Sequence, residues 1–174
     1  PELKASETPA FTMHHFQYSA AAHLFSRTGY TGEAGAEILC PQHPAWEWWD
    51  KLHHAGATLC GLAARDSLRL EAGLCLYGQD LDEDITPIEA GLGWSVSIKK
   101  EEDYIGREVL ERQKKEGPPR RQVGLKVEGR RPLRHGDEVV REGRPVGKIT
   151  SGGFSPMLEC GIALALVEAE AAGA

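Results

Sequence analysis

An α+β part followed by an all-β part is the fold class this sequence predicts, on three observations. Helix-period apolar patterning alternates with short strands up to "KKEGPPRR", near residue 117. Beyond it the period changes to the two-residue alternation of strands, as in "QVGLKV". Glycine-bearing turns then separate short runs with no intervening helix, the pattern of a small β-barrel or sandwich.

Composition narrows the class. The 174 residues are 41% hydrophobic and 26% charged, values of an ordinary globular protein. A chain of this size buries roughly 70% of its unfolded surface and requires no metal or disulfide staple. The net charge of −6 argues against bulk nucleic-acid binding, which needs a concentrated basic face, though it leaves room for a local basic pocket. Cys40, Cys60, Cys75 and Cys160 show no C-x-x-C spacing and are expected as reduced thiols in a cytosol-like compartment. No apolar run approaches membrane-spanning length, and no signal pattern opens the chain. The start at Pro1, in mid-pattern, suggests a fragment or a processed chain.

Taken in order, residues 1 to 17 carry weak patterning. "HLFSRTGY" reads as a strand entering a glycine-bearing turn, and "AEILCP" as its hairpin partner, stopped by Pro41. "HPAWEWWDKLHHAG" reads as a helix with Pro44 in its first turn. Trp46, Trp49 and Leu52 recur at helical spacing, and the helix's three tryptophans, Trp46, Trp48 and Trp49, are expected to make a core or domain contact. In "GLAARDSLRLEAGL", Ala64, Leu68 and Ala72 make an apolar helix face, Arg65 and Arg69 lie one turn apart, and Gly73 ends the helix. An acidic, Pro- and Gly-bearing stretch follows, then the helix "YIGREVLERQKKEG". Past the Gly-Pro-Pro boundary come strands at "QVGLKV", "VVREGRPVGKI" and "CGIALALV", and a frayed end at "EAEAAGA". The division is therefore residues 1–117 and residues 118–174.

The motif "SRTGYTGEAGAEI" invites a phosphate-loop reading, which its spacing rejects. Its glycines fall at G-x-x-G-x-x-G, a strand rather than a helix follows, and no Gly-Lys-Ser/Thr closes it. Glycines at positive φ in a hairpin account for the turn. They do not account for Glu37, which alternation places on the same face as Leu39, so that an inward carboxylate must find a donor. Asp80, Asp82 and Asp84 imitate the first ligands of a calcium loop, but Ile85 and Gly91 break the pattern, so a solvated loop is expected. The histidines lack zinc-ligand spacing, and no nucleophile elbow is present. The basic stretch "KVEGRRPLRHG" reads as a solvated turn at the barrel edge, with an acidic ligand or partner as the alternative.

Four segments carry a resemblance: "SRTGYTGEAGAEI", "GLAARDSLRLEAGLCLYGQDLDEDITPIEAGLGW", "YIGREVL" and "GKITSGGFSP". From about residue 24 to 167 the chain resembles the T-protein family of the glycine cleavage system, the tetrahydrofolate-dependent aminomethyltransferases. The resemblance implies the latter part of a folate-binding domain, an antiparallel sheet with helices, and then an incomplete C-terminal β-barrel. Members of the family run to roughly twice this length as a three-domain cloverleaf, and their catalytic aspartate falls in a segment without a counterpart here. The missing surface is expected to leave apolar faces open to association.

Position by position, the resemblance makes Glu37 the acid that binds folate, Arg65 a ligand-binding arginine, and Tyr30 an aromatic lining the folate channel. Trp94, in the "GLGW" segment, is placed close to the channel. The chemistry is coherent. A pterin edge offers an amino group and a ring N–H to a carboxylate, and a guanidinium suits the glutamate tail of folate or orients Glu37 itself. Tetrahydrofolate is the implied co-substrate and lipoylated H-protein the implied partner, with no metal, nucleic acid or membrane. The implied setting is the bacterial cytoplasm or the mitochondrial matrix. Rival readings are a folate-binding part of a sarcosine- or dimethylglycine-type dehydrogenase or demethylase, and a non-catalytic folate-binding or structural fragment.

Overall fold

The computed structural model describes residues 7–99 and 101–173, so the first six residues of the weakly patterned lead lie outside the described ones. The chain divides into two compact units, one ending at Leu68 and the other beginning at Arg69.

The first unit holds an antiparallel sheet of β1 (Met13–Tyr18), β2 (Ala21–Ser26) and β3 (Glu37–Leu39), in that order. β2 and β3 form the expected hairpin, with Leu24 opposite Leu39 and Ser26 opposite Glu37. β1 corrects the unpatterned reading of residues 1 to 17. Its hairpin turns on Ser19 and Ala20, at φ 48° and 59°, left-handed positions held here without the glycine or asparagine that usually marks them. Helix α1 (Gln42–His54) lays Trp48 against Phe16, Tyr18 and His23, with ring centroids 4.8 to 6.2 Å apart. Trp48 is thus the tryptophan of the three that faces the sheet, while Trp46 and Trp49, with Leu52, are 68%, 51% and 49% exposed, so the core expectation holds for Trp48 alone. Between helix and sheet lies an apolar groove of about 550 Å³, lined by Phe16, Phe25, Ile38, Trp48, Trp49 and Leu52 among others.

Helix α2 (Leu62–Glu71) closes as expected at Gly73, where φ is +69° and the Leu74 N–H reaches back to the Arg69 carbonyl at 2.8 Å. Its expected apolar face is corrected: Ala64, Leu68 and Ala72 are exposed, and the buried residues are Arg69 and Leu70.

In the second unit, helix α3 (Arg107–Glu116) precedes a four-stranded antiparallel sheet ordered β4-β7-β6-β5, made of β4 (Arg120–Val127), β5 (Glu138–Arg141), β6 (Arg144–Ser155) and β7 (Cys160–Glu168). The central strand β7 is apolar almost throughout, because it is covered on both faces. Ala163, Ala165 and Val167 pack with Ile149 on one side, and Ile162 and Leu164 with Leu70 on the other. Three close backbone approaches demand glycine: a Cβ on Gly147 would collide with the Leu166 carbonyl oxygen, one on Gly161 would meet the Arg131 carbonyl oxygen at 2.4 Å, and one on Gly152 the Leu133 carbonyl oxygen at 2.5 Å. The tail expected to fray forms a short 3-10 turn at Ala169–Ala171, and Ala172 packs against the sheet core.

A buried polar cluster ties this unit together. Arg69, Asp80 and Ser151 are 2%, 1% and 1% exposed. The Arg69 guanidinium donates to Asp80 at 2.9 Å and to the Ser151 hydroxyl at 3.0 Å, while the Leu76 N–H and the Ser151 hydroxyl donate to Asp80 at 2.8 and 2.6 Å. Thr150 donates to the other Asp80 oxygen at 2.5 Å. A bulge in β6 between Ile149 and Ser151 lets two consecutive hydroxyls reach one carboxylate. The solvated-loop expectation is thereby corrected for Asp80, though Asp82 and Asp84 are exposed.

Candidate functional site

The segment from Ser26 to Glu37 is anchored at both ends of its turn. Arg27 donates from Nη1 to the Gly35 carbonyl at 2.5 Å and from Nε to the Thr8 carbonyl at 3.2 Å. Its backbone N–H bonds the Thr12 carbonyl at 3.0 Å. Of the three glycines, Gly32 alone is left-handed, at φ +80°, so positive φ explains one glycine and not all of them. A Cβ on Gly29 or Gly35 would meet nothing closer than 3.9 Å.

Glu37 shares its face with Leu39 as expected, but both residues are exposed, which corrects the inward placement. The reason is the alternation of β3: Ile38 takes the groove side, and its neighbours take the other. The expected donor is present. The Thr28 hydroxyl donates to Oε2 of Glu37, and the Thr28 and Ser26 hydroxyl oxygens lie 2.7 Å apart. Oε1 of Glu37 takes no hydrogen bond among the described residues. Ser26 and Thr28 escaped the sequence reading, although the "SRT" lead-in stood beside the glycines that drew attention.

Arg65, on α2, stacks its guanidinium carbon 4.4 Å from the centroid of the Tyr30 ring. No ion pair joins Arg65 to Glu37 among the described residues, so the structure gives two pairs, Thr28 with Glu37 and Tyr30 with Arg65. Trp94 stands in the other unit, on a 3-10 turn at Gly93–Ser95, and is 84% exposed. Lys114 holds that turn through the Gly93 and Val96 carbonyls, at 3.4 and 3.3 Å.

Other reactive groups of the second unit are engaged in structure. Burial pushes the Cys75 thiol up, the wrong direction for a nucleophile, and its Sγ donates to Gln122 at 3.1 Å. Burial acts to raise the Glu89 carboxyl, but Arg120 and Thr86 outweigh it and hold it below the ordinary carboxylate range. Glu89 accepts from Arg120 Nε at 2.8 Å and from the Thr86 N–H at 2.9 Å, while its own N–H bonds the Thr86 hydroxyl at 3.2 Å. This reciprocal capping box was legible as "TPIE" in the sequence and went unread.

A family model described as the GCVT N-terminal domain matches residues 1–100, and one described as the glycine cleavage T-protein C-terminal barrel domain matches residues 120–174. A relative named aminomethyltransferase in Nitrosococcus oceani is 52% identical over 160 residues, covering 91% of this chain and 43% of that protein. Another of the same name in Rippkaea orientalis is 51% identical over 144 residues, covering 83% of this chain and 39% of that protein. The crystal structure of the glycine cleavage system aminomethyltransferase T from Bartonella henselae matches with a TM-score of 0.79 at 41% identity, over 85% of this chain and 42% of that one. The chain thus spans about two fifths of the length of these relatives.

Proposed function

Because the chain belongs to the glycine cleavage T-protein family, we propose that it supplies the folate-reading part of an aminomethyltransferase. The observation that carries this reading is the exposed Glu37 carboxylate, oriented by a hydroxyl and with Oε1 open. A carboxylate offers about four lone-pair positions, so one bond from Thr28 leaves room for the amino group and ring N–H of a pterin. The Tyr30–Arg65 stack supplies a flat aromatic surface and a cation, which suit the ring system and the anionic tail of tetrahydrofolate. The fit with tetrahydrofolate as co-substrate rests on these groups and on no metal.

In the reaction we propose for the whole protein, the aminomethyl group on the lipoyl arm of H-protein is the one-carbon donor. The unit passes to N5 of tetrahydrofolate, ammonia is released, and 5,10-methylene-tetrahydrofolate and a dihydrolipoyl arm result. What these residues contribute is binding and orientation: Glu37 fixes the pterin edge, and Arg65 and Tyr30 hold ring and tail. We assign no catalytic group within the 174 residues.

Titration with 5-formyl-tetrahydrofolate, followed by tryptophan fluorescence, tests the reading. Saturable quenching is expected, and a flat titration contradicts it. When supplied with loaded H-protein and tetrahydrofolate, these residues alone are expected to give no one-carbon transfer. Turnover would contradict that assignment.

A further inference from the structure

We infer that Thr28, backed by Ser26, is a positioning residue that sets the orientation of the Glu37 carboxylate and so its selectivity for a ligand edge presenting two adjacent N–H donors. The inference rests on the assignment of Glu37 as the ligand-reading acid. Ser26, Arg27 and Thr28 are consecutive, and each is fixed. Ser26 is 4% exposed, lies in β2 and stands opposite Glu37 in register. Arg27 is tied to Thr8, Thr12 and Gly35.

The direction of the bonds follows from the chemistry of a hydroxyl, which has one proton to donate. An ionised carboxylate only accepts, so the Thr28 proton goes to Oε2 of Glu37. The Thr28 oxygen, 2.7 Å from Ser26 Oγ, must then accept the Ser26 proton. The result is a one-way relay, Ser26 to Thr28 to Glu37, running from a buried strand to an exposed acid. Each donor in such a chain polarises the next.

An exposed glutamate side chain otherwise samples several rotamers, and binding must collect them into one. With Oε2 held by Thr28, the carboxylate plane is fixed before the ligand arrives. Preorganisation of this kind raises affinity without adding a contact to the ligand. It also sharpens selectivity, since an edge lacking one N–H leaves an oriented oxygen unpaired.

Thr28→Val removes the donor at constant shape, and Thr28→Ser restores it. The probes are 5-formyl-tetrahydrofolate and its 2-desamino-2-methyl analogue, which lacks one edge donor. Thr28→Val is expected to weaken the parent compound about tenfold while barely changing the analogue, so that the preference between them collapses. Thr28→Ser is expected to keep both affinity and preference, and circular dichroism melting checks that each variant folds. Equal losses for both compounds, or no loss in Thr28→Val while Glu37→Gln loses binding, would overturn the positioning role and leave the Glu37 assignment standing. Unchanged binding in Glu37→Gln, or none by the unaltered chain, would overturn the underlying assignment and the inference with it. Should Thr28→Val fail to fold, Ser26→Ala takes its place, and an unaltered preference in that variant would overturn the relay.

Discussion

Glu37 and Arg65 do different work, and the difference is measurable. Glu37 is exposed, and one of its oxygens is oriented by Thr28. Arg65 lies over Tyr30, so its guanidinium is held by a ring face and, among the described residues, not by an acid. An exposed cation–π pair contributes about 0.5–1 kcal/mol. Tyr30→Leu is therefore expected to weaken 5-formyl-tetrahydrofolate by about that amount beyond the lost ring contact, and Arg65→Lys to weaken it further, because an ammonium lacks the planar fork. Calorimetric titration checks both, and unaltered affinity in Arg65→Lys would remove the planar-fork argument. At this scale alternation drew attention to Glu37, and the family resemblance to Tyr30 and Arg65. The sequence was a poor guide to their partners. Which hydroxyl meets Glu37 depends on the register of β2 with β3, and which group meets Arg65 depends on how α2 lies against the turn.

Among the elements, the acidic loop after α2 illustrates what a local reading misses. Asp80 and Asp82 look alike in "GQDLDED", yet Asp80 is buried and receives four hydrogen-bond donors, while Asp82 is exposed. Removing one partner of a buried pair leaves an uncompensated charge and costs about 3–5 kcal/mol. Asp80→Asn is expected to lower the urea midpoint by that equivalent, whereas Asp82→Asn should stay within about 0.5 kcal/mol. Equal effects would show that the cluster does not hold this unit. The donors on Thr150 and Ser151 lie some seventy positions away and depend on the β6 bulge, a feature that period-two patterning does not encode. Glu89 gives a pH-dependent counterpart. Its folded-state carboxyl is depressed, so its contribution is present above the unfolded value of about 4.3 and is lost as pH falls through the lower folded value. Glu89→Gln should flatten the acid limb of the stability curve in that window, without steepening it near neutrality. Helices and strands themselves were legible where caps or alternation marked them, as at Gly73 and "QVGLKV". β1 was not, because Ser19 and Ala20 turn its hairpin without a glycine.

For the molecule as a whole, the fold class was readable because the change of period near "GPPRR" precedes an all-β sheet that begins at Arg120. What composition did not reveal is which apolar residues stay uncovered. The three tryptophans of α1 were expected to make a core or domain contact, yet Trp46, Trp49 and Leu52 are left open, the last two lining a groove of about 550 Å³. Open apolar surface of this kind binds hydrophobic dyes and promotes association. The chain is expected to bind anilinonaphthalene sulfonate in its folded state, with the signal reduced in Trp46→Ser/Trp49→Ser, and an unchanged signal would place the dye elsewhere. The central claim is that these residues read folate through one carboxylate. Calorimetric titration of the Glu37→Gln variant with 5-formyl-tetrahydrofolate tests it most directly. A loss of about 1.5–3 kcal/mol relative to the unaltered chain, the range for a hydrogen bond to a charged group, is the expected result. Unchanged affinity would contradict the claim.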